Sequence, residues 1–329
     1  MDNHLDFNRQ RSIKSCILDG WKVFALRWRA YLRFQWPALL LAALFVGLLL
    51  LGAASYLDAY LLPAAALREI GTPNEIVRQV ALPEKGFLLQ ATIVATAALA
   101  AWMLWKGTLY TQMRECRHYG ELPAGQPFRL WRSILRNAAR CCAADALLAL
   151  LWLLPCAAIV WAAFAWSKWL LLLLLPLVVA AKVTGTEVEI RHVLDGASLH
   201  TAFRQAYGSG LRQAGGLFLI RLLTAIPWSL LGLAAMLPVI ALTLASATNT
   251  NGLLMGDPDG LPSYFYLLFY GVAAAAAFLI FLITGVRSWG CALKLSSGNA
   301  AERALPGAAT AKENERSATS DLAQGSGRM

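Results

Sequence analysis

The sequence predicts an all-α protein: a polytopic membrane bundle of six transmembrane helices in three hairpins, each preceded by a cytoplasmic amphipathic helix. Three observations predict it. Hydrophobic residues make up 58% of the 329-residue chain and charged residues 15%, with a mean hydropathy of +0.53, whereas an ordinary soluble domain carries about 25% charged residues. The apolar excess is gathered into charge-free stretches at 35–57, 86–105, 146–167, 169–181, 222–256 and 260–286. Five of these reach the roughly 20 residues needed to cross a hydrocarbon core of about 30 Å, and the shorter fourth continues as Val183–Thr186 beyond Lys182. Finally, Lys and Arg alternate: taken in order between the stretches they number 7, 3, 7, 1, 5, 0 and 6. Alternate segments thus hold 25 against 4, the positive-inside pattern. Both termini are expected in the cytoplasm, and the net charge of +10 is read as topological, with no nucleic-acid partner.

Residues 1–34 form a basic-aromatic N-terminal region. Its core, WKVFALRWRAYLRFQWP at 21–37, holds four positive charges and six aromatic rings. A cleaved signal peptide would have a shorter basic region, a shorter apolar run and a small-residue cleavage site. At 100° per residue, Ile17, Trp21, Phe24, Trp28, Tyr31 and Leu32 share one stripe while Lys22, Arg29 and Arg33 share another. That pattern predicts a helix lying in the headgroup layer, with Pro37 in the first turn of the span that follows. Residues 35–295 are expected to be the six-helix transmembrane domain.

The device recurs. Residues 127–142, PFRLWRSILRNAARCC, set Arg129, Arg132, Arg136 and Arg140 near helical spacing, and 202–217 read AFRQAYGSGLRQAGGL. In each copy an aromatic residue precedes a Leu-Arg pair: Trp21 before Leu26-Arg27, Trp131 before Leu135-Arg136, Tyr207 before Leu211-Arg212. Two spans follow each copy, which predicts a three-unit internal repeat. Anionic inner-leaflet headgroups are the expected partners of this surface, through Trp21, Trp28, Arg29, Arg33, Trp131, Arg132 and Arg136.

In this order of basic-aromatic helix, span, external loop and span, residues 12–295 resemble a broad bacterial superfamily of six-helix membrane domains. It includes the membrane domain attached to some glycerophosphodiester phosphodiesterases and many stand-alone proteins of unknown function. The resemblance implies a helical bundle in the bacterial inner membrane. It transfers no catalytic residue, since the phosphodiesterase barrel of those fusions has no counterpart here.

The connections carry lesser signals. Thr72-Pro73-Asn74-Glu75 is a capping box that opens a short external helix. Asp257 and Asp259 sit on a Gly/Pro-rich turn, read as a tight turn because no third acidic ligand is near for a cation. Residues 296–329 are small and polar with no apolar period, and are expected to be a disordered cytoplasmic tail. Cys16, Cys116, Cys141, Cys142 and Cys291 fall on the cytoplasmic side and Cys156 in a span, so no disulfide framework is expected.

For chemistry, ionisable residues in or beside the spans are the natural candidates: Lys182, Glu187, Glu189, Arg221 and Asp145. Pairing of Lys182 with Glu189 or of Arg221 with Glu187 in the inner leaflet would satisfy them as structure. Pro155, Pro176 and Pro227 are expected to kink spans three, four and five. Gly208-Ser209-Gly210 lacks the strand and the partner residues of a nucleophile turn or a phosphate loop. His4, His118, His192 and His200 are spread over the cytoplasmic segments with no metal-binding spacing. No catalytic constellation and no cofactor are expected. The first functional reading is a non-enzymatic membrane protein in membrane organisation or in partnership with another membrane protein. The alternative is a small-solute transporter with a site between spans three, four and five, lined by Lys182, Thr184 and Thr186.

Overall fold

The computed structural model describes residues 11–56, 85–123, 127–165, 168–207, 211–254, 262 and 264–304. The capping box at Thr72, the aspartates 257 and 259 and the triplet 208–210 lie outside them, as do 1–10 and 305–329. Among the described residues every regular element is a helix. We number the α-helices α1 (Ile13–Tyr56), α2 (Lys85–Tyr119), α3 (Trp131–Ala165), α4 (Leu174–Val193), α5 (Leu199–Tyr207), α6 (Leu211–Leu254) and α7 (Phe265–Ala304). Short 3-10 segments, Pro127–Leu130 and Lys168–Leu173, lead into α3 and α4.

Local chemistry sets the ends. The Ser12 hydroxyl accepts from the Ser15 amide at 3.2 Å and the Ser198 hydroxyl from the Thr201 amide at 3.2 Å, capping α1 and α5. Beyond α2, Gly120 turns left-handed (φ 72°) and its N–H returns to the Cys116 carbonyl at 2.8 Å; beyond α4, Gly196 is left-handed at φ 71° and the following Ala197 N–H returns to the Arg191 carbonyl at 3.2 Å.

Five of these helices hold a stretch long and apolar enough to cross a membrane, in α1, α2, α3, α6 (Pro227–Asn249) and α7. Only 28% of the most apolar window is buried in α1 and α7, and 11% in the other three. Large side chains such as Leu150, Leu153, Leu154 and Trp161 on α3 and Leu230, Leu233 and Leu244 on α6 point outward. Apolar surface on that scale needs lipid as its solvent. The chain is thus built as a multi-pass membrane protein. The fourth stretch expected to cross, within α4, is not among the five: its 20 residues include Lys182, Glu187, Glu189 and Arg191.

Helices adjacent in sequence pack together (α1 on α2, α2 on α3, α3 on α4, α6 on α7), and the first and last helices, α1 and α7, share the most extensive contact. Lipid-embedded helices gain little from hydrophobicity and associate where small residues let backbones approach. Such points are visible: a Cβ on Gly20 would stand 3.1 Å from the Gly290 nitrogen, and one on Gly47 3.0 Å from Ala274. On α2, a Cβ at Gly107 would come within 2.6 Å of the Ile134 carbonyl and 2.8 Å of Ala138. The largest core gathers Tyr31, Trp105, Leu109, Met113, Ile190, Trp289 and Leu293 around the end of the bundle rich in Lys and Arg, here called the basic end. A smaller one, with Ala54, Val239, Phe265 and Phe269, closes the other end.

Five sequence expectations are corrected. Residues 17–34 are not one element: a kink at Arg27 (φ −128°, ψ 28°) divides α1 into two helices, and the second runs on without a break through residue 34 to Tyr56. Pro37 therefore stands inside α1 rather than in a first turn. Likewise 131–142 is the start of α3, continuous with the apolar stretch. Pro176 lies in the first turn of α4, where the missing N–H costs nothing, and so does not kink a span. Finally, α7 continues past residue 295 to Ala304. Ser296 and Ser297 are buried there, with hydroxyls donating to the Ala292 and Lys294 carbonyls, so these small polar residues satisfy themselves on the helix backbone.

Candidate functional site

The polar interior of the bundle is organised by α2. At a helical spacing of four, Lys106 and Tyr110 share a face, and that face meets α3 and α4. The Lys106 ammonium donates to Asp145 of α3 at 2.7 Å and to Glu189 of α4 at 2.5 Å. Tyr110 donates its hydroxyl to the other oxygen of Glu189 at 2.8 Å. The ammonium also lies 5.9 Å from the Trp102 ring centroid. One lysine thus ties three helices, and it faces two carboxylates, which leaves a formal charge of −1 that a single proton would neutralise.

One turn further along α2, two neutral pairs continue the layer. Gln35 of α1 donates to the Gln112 side chain at 2.6 Å, with both residues fully buried. Asn137 of α3 donates to the Thr111 hydroxyl at 2.8 Å, and that hydroxyl donates to the Gly107 carbonyl at 2.7 Å. In a membrane-embedded bundle such pairs act as interhelical glue. At the helix ends, Arg117 meets Asp195 at 2.5 Å and draws the end of α2 to the end of α4.

Of the five expected cluster residues, Asp145 and Glu189 come together, but through Lys106 and not through Lys182. Lys182 is exposed. The pairing expected between Lys182 and Glu189 is replaced for a geometric reason: seven residues of helix separate them by about 10 Å along the axis, while α2 delivers an ammonium directly across. Glu187, fully buried, takes Arg191 one turn on at 2.8 Å, and Arg191 also donates to Gln205 of α5 at 3.2 Å. Arg221 of α6 donates instead to the Thr186 hydroxyl. Lys106 was missed because it directly follows the stretch 86–105 and counted there only as a cytoplasmic charge. The signal that would have found it is the polar face Lys106-x-x-x-Tyr110, carried on by Thr111-Gln112.

The interfacial residues lie on the outside of the basic end. Trp28 and Trp131 are about half exposed, and Arg29, Arg33, Arg132 and Arg136 are exposed. The Arg29 guanidinium lies 5.5 Å from the Trp28 ring centroid. Trp21 is partly committed inward, stacked on Trp228 of α6 at 5.0 Å. Of the apolar stripe expected on 17–34, Tyr31 is buried, Ile17, Phe24 and Leu32 pack partly against the core, and Trp21 and Trp28 stay exposed. Cys16, Gly20, Val23, Tyr31 and Phe34 are the buried face, because the close approach of Gly20 to Gly290 turns small residues toward α7 and leaves the tryptophans on the flank.

Comparison with protein-family models, with curated proteins and with solved structures gave no match. The class is therefore defined by the architecture alone: a helical multi-pass membrane protein with an ion-paired polar layer among α2, α3 and α4.

Proposed function

We propose that this is a non-enzymatic protein of the bacterial inner membrane that grips anionic headgroups of the cytoplasmic leaflet, so organising the membrane or presenting that surface to a membrane-protein partner. The observation that carries the reading is how the charges are divided. Inside, Lys106, Asp145, Glu189, Glu187 and Arg191 are engaged with one another. Outside, Arg29, Arg33, Arg132 and Arg136 stand exposed beside Trp28 and Trp131, the pairing of cations with aromatic rings that suits the headgroup level. A solute path along α4 has less support. Lys182 is exposed, and the Thr184 and Thr186 hydroxyls donate to the Ala180 and Lys182 carbonyls of their own helix.

Energy transfer from the protein's tryptophans to dansyl-labelled lipid in mixed vesicles tests this reading. Transfer to phosphatidylglycerol is expected to exceed transfer to phosphatidylcholine. Replacing Arg29, Arg33, Arg132 and Arg136 together with Gln is expected to remove the excess, since each basic residue at the surface contributes about 1 kcal/mol at low salt. Equal transfer to the two lipids by the unaltered protein would overturn the proposal.

A further inference from the structure

Arg221 of α6 and Arg287 of α7 meet where these two helices cross at the basic end. The Arg287 guanidinium donates to the Arg221 main-chain carbonyl at 2.9 Å. Among the described residues no ion pair joins a carboxylate to either guanidinium. The Nε atoms of both arginines are buried without a hydrogen-bond partner, and so is the Trp228 indole nitrogen. Two arginines on neighbouring helices, each with a buried donor left over, are costly unless an anion compensates them.

A place for one adjoins them. Trp228, Ser229 and Gly232 of α6 and Ile280, Ile283, Thr284 and Arg287 of α7 line a cleft of about 350 Å³. The lining is graded. Arg287 is the first charge after the charge-free stretch 260–286, so the cationic end of the cleft sits where α7 leaves its apolar segment. Toward the middle of the helix, Ile283 and Ile280 continue the same face, and Gly232 opposite leaves open space, for a Cβ added there meets nothing within 4 Å. A guanidinium at one end with apolar walls at the other matches an anion that carries a hydrocarbon tail.

We infer that the cleft between α6 and α7 binds a phosphate-bearing anion, held by Arg287 with Arg221 adding its field and the Trp228 ring forming part of the wall. The phosphate of an anionic phospholipid and free inorganic phosphate share this chemistry. The inference rests on reading the basic end as the headgroup level, but it concerns residues apart from the four surface arginines.

The full-length protein, extracted in detergent from membranes containing phosphatidylglycerol, is examined by native mass spectrometry with and without added inorganic phosphate. The unaltered protein is expected to retain phosphatidylglycerol, and Arg287→Gln to retain roughly tenfold less, the worth of one charged hydrogen bond. Gly232→Leu keeps both arginines, favours the helix and fills the cleft, and is expected to lose the lipid while unfolding at no lower temperature. Displacement of retained lipid by inorganic phosphate, absent in Arg287→Gln, assigns the phosphate as the recognised group. Binding of inorganic phosphate alone, lost in both variants, assigns a free anion and still upholds the site. Phosphatidylglycerol and phosphate binding unchanged in both variants would overturn it. The four-arginine variant is run beside them: loss of lipid selectivity there with retention intact separates the surface reading from the cleft.

Discussion

Lys106 is the residue on which the polar interior turns, since it pairs with both Asp145 and Glu189. Removing its charge would leave two carboxylates facing each other in a site of low dielectric. Lys106→Met is therefore expected to destabilise the bundle by about 3 kcal/mol, the loss typical when one partner of a buried ion pair is deleted. Lys182→Met, on an exposed side chain, is expected to stay within about 0.5 kcal/mol. Thermal unfolding in detergent compares the two, and Lys106→Met with Asp145→Asn and Glu189→Gln should recover much of the loss. A Lys106→Met protein as stable as the parent would remove the trio as a structural element. At this scale the sequence was half legible. Asp145 and Glu189 stood out because carboxylates are rare in such surroundings, whereas a lysine at the end of an apolar stretch is indistinguishable from one of the many that mark the cytoplasmic side. Which nitrogen reaches which oxygen depends on how α2 faces α3 and α4, and that is long-range information.

Among the elements, the closest approach is that of α2 to α3 at Gly107. A methyl group there would have to share space with the Ile134 carbonyl and Ala138, which are backbone and short side chain and have nowhere to retreat. Gly107→Ala is expected to cost about 1–3 kcal/mol through overpacking and to pull Thr111 from Asn137. Gly52→Ala in α1, where an added Cβ meets nothing within 4 Å, should be neutral or slightly stabilising by helix propensity. Equal unfolding midpoints for the two variants would mean that α2 and α3 can separate at no cost. The apolar stretches forecast α1, α2, α3, α6 and α7 because length and composition are local properties. Where one helix ends and another starts was less legible. The change from basic-aromatic to apolar residues near 34 looks like a boundary in composition, yet the hydrogen-bonded helix passes through it and bends at Arg27 instead. The phase of the buried face was also set elsewhere, by small residues on α7.

For the whole molecule the open quantity is the number of crossings, and charge and connectivity bear on it together. With five crossings the termini would lie on opposite sides, and the Lys and Arg residues would divide 14 against 15; with six they divide 25 against 4. Only the second has the bias that orients membrane proteins. Chain geometry supports the same count. The start of α3 lies beside the end of α2 through Asn137 and Thr111, and α3 then runs on to Ala165. The chain comes back through α4, whose far end is tied to the end of α2 by Asp195 and Arg117. Twenty residues of α-helix span about 30 Å, enough for that return. The charges that keep α4 from reading as a span are handled within it: Glu189 and Glu187 are paired, and Lys182 is exposed on a stem long enough to snorkel. We therefore predict that α4 is the sixth crossing. Reporter fusions after Asn74 and Asp257 should read as external, and fusions after Gly196 and Gly327 as cytoplasmic. The decisive one is Gly196, just beyond α4. An external signal there, with Asn74 also external, would leave α4 uncrossed and part Asp195 from Arg117 at the other end of α2, which would overturn the prediction.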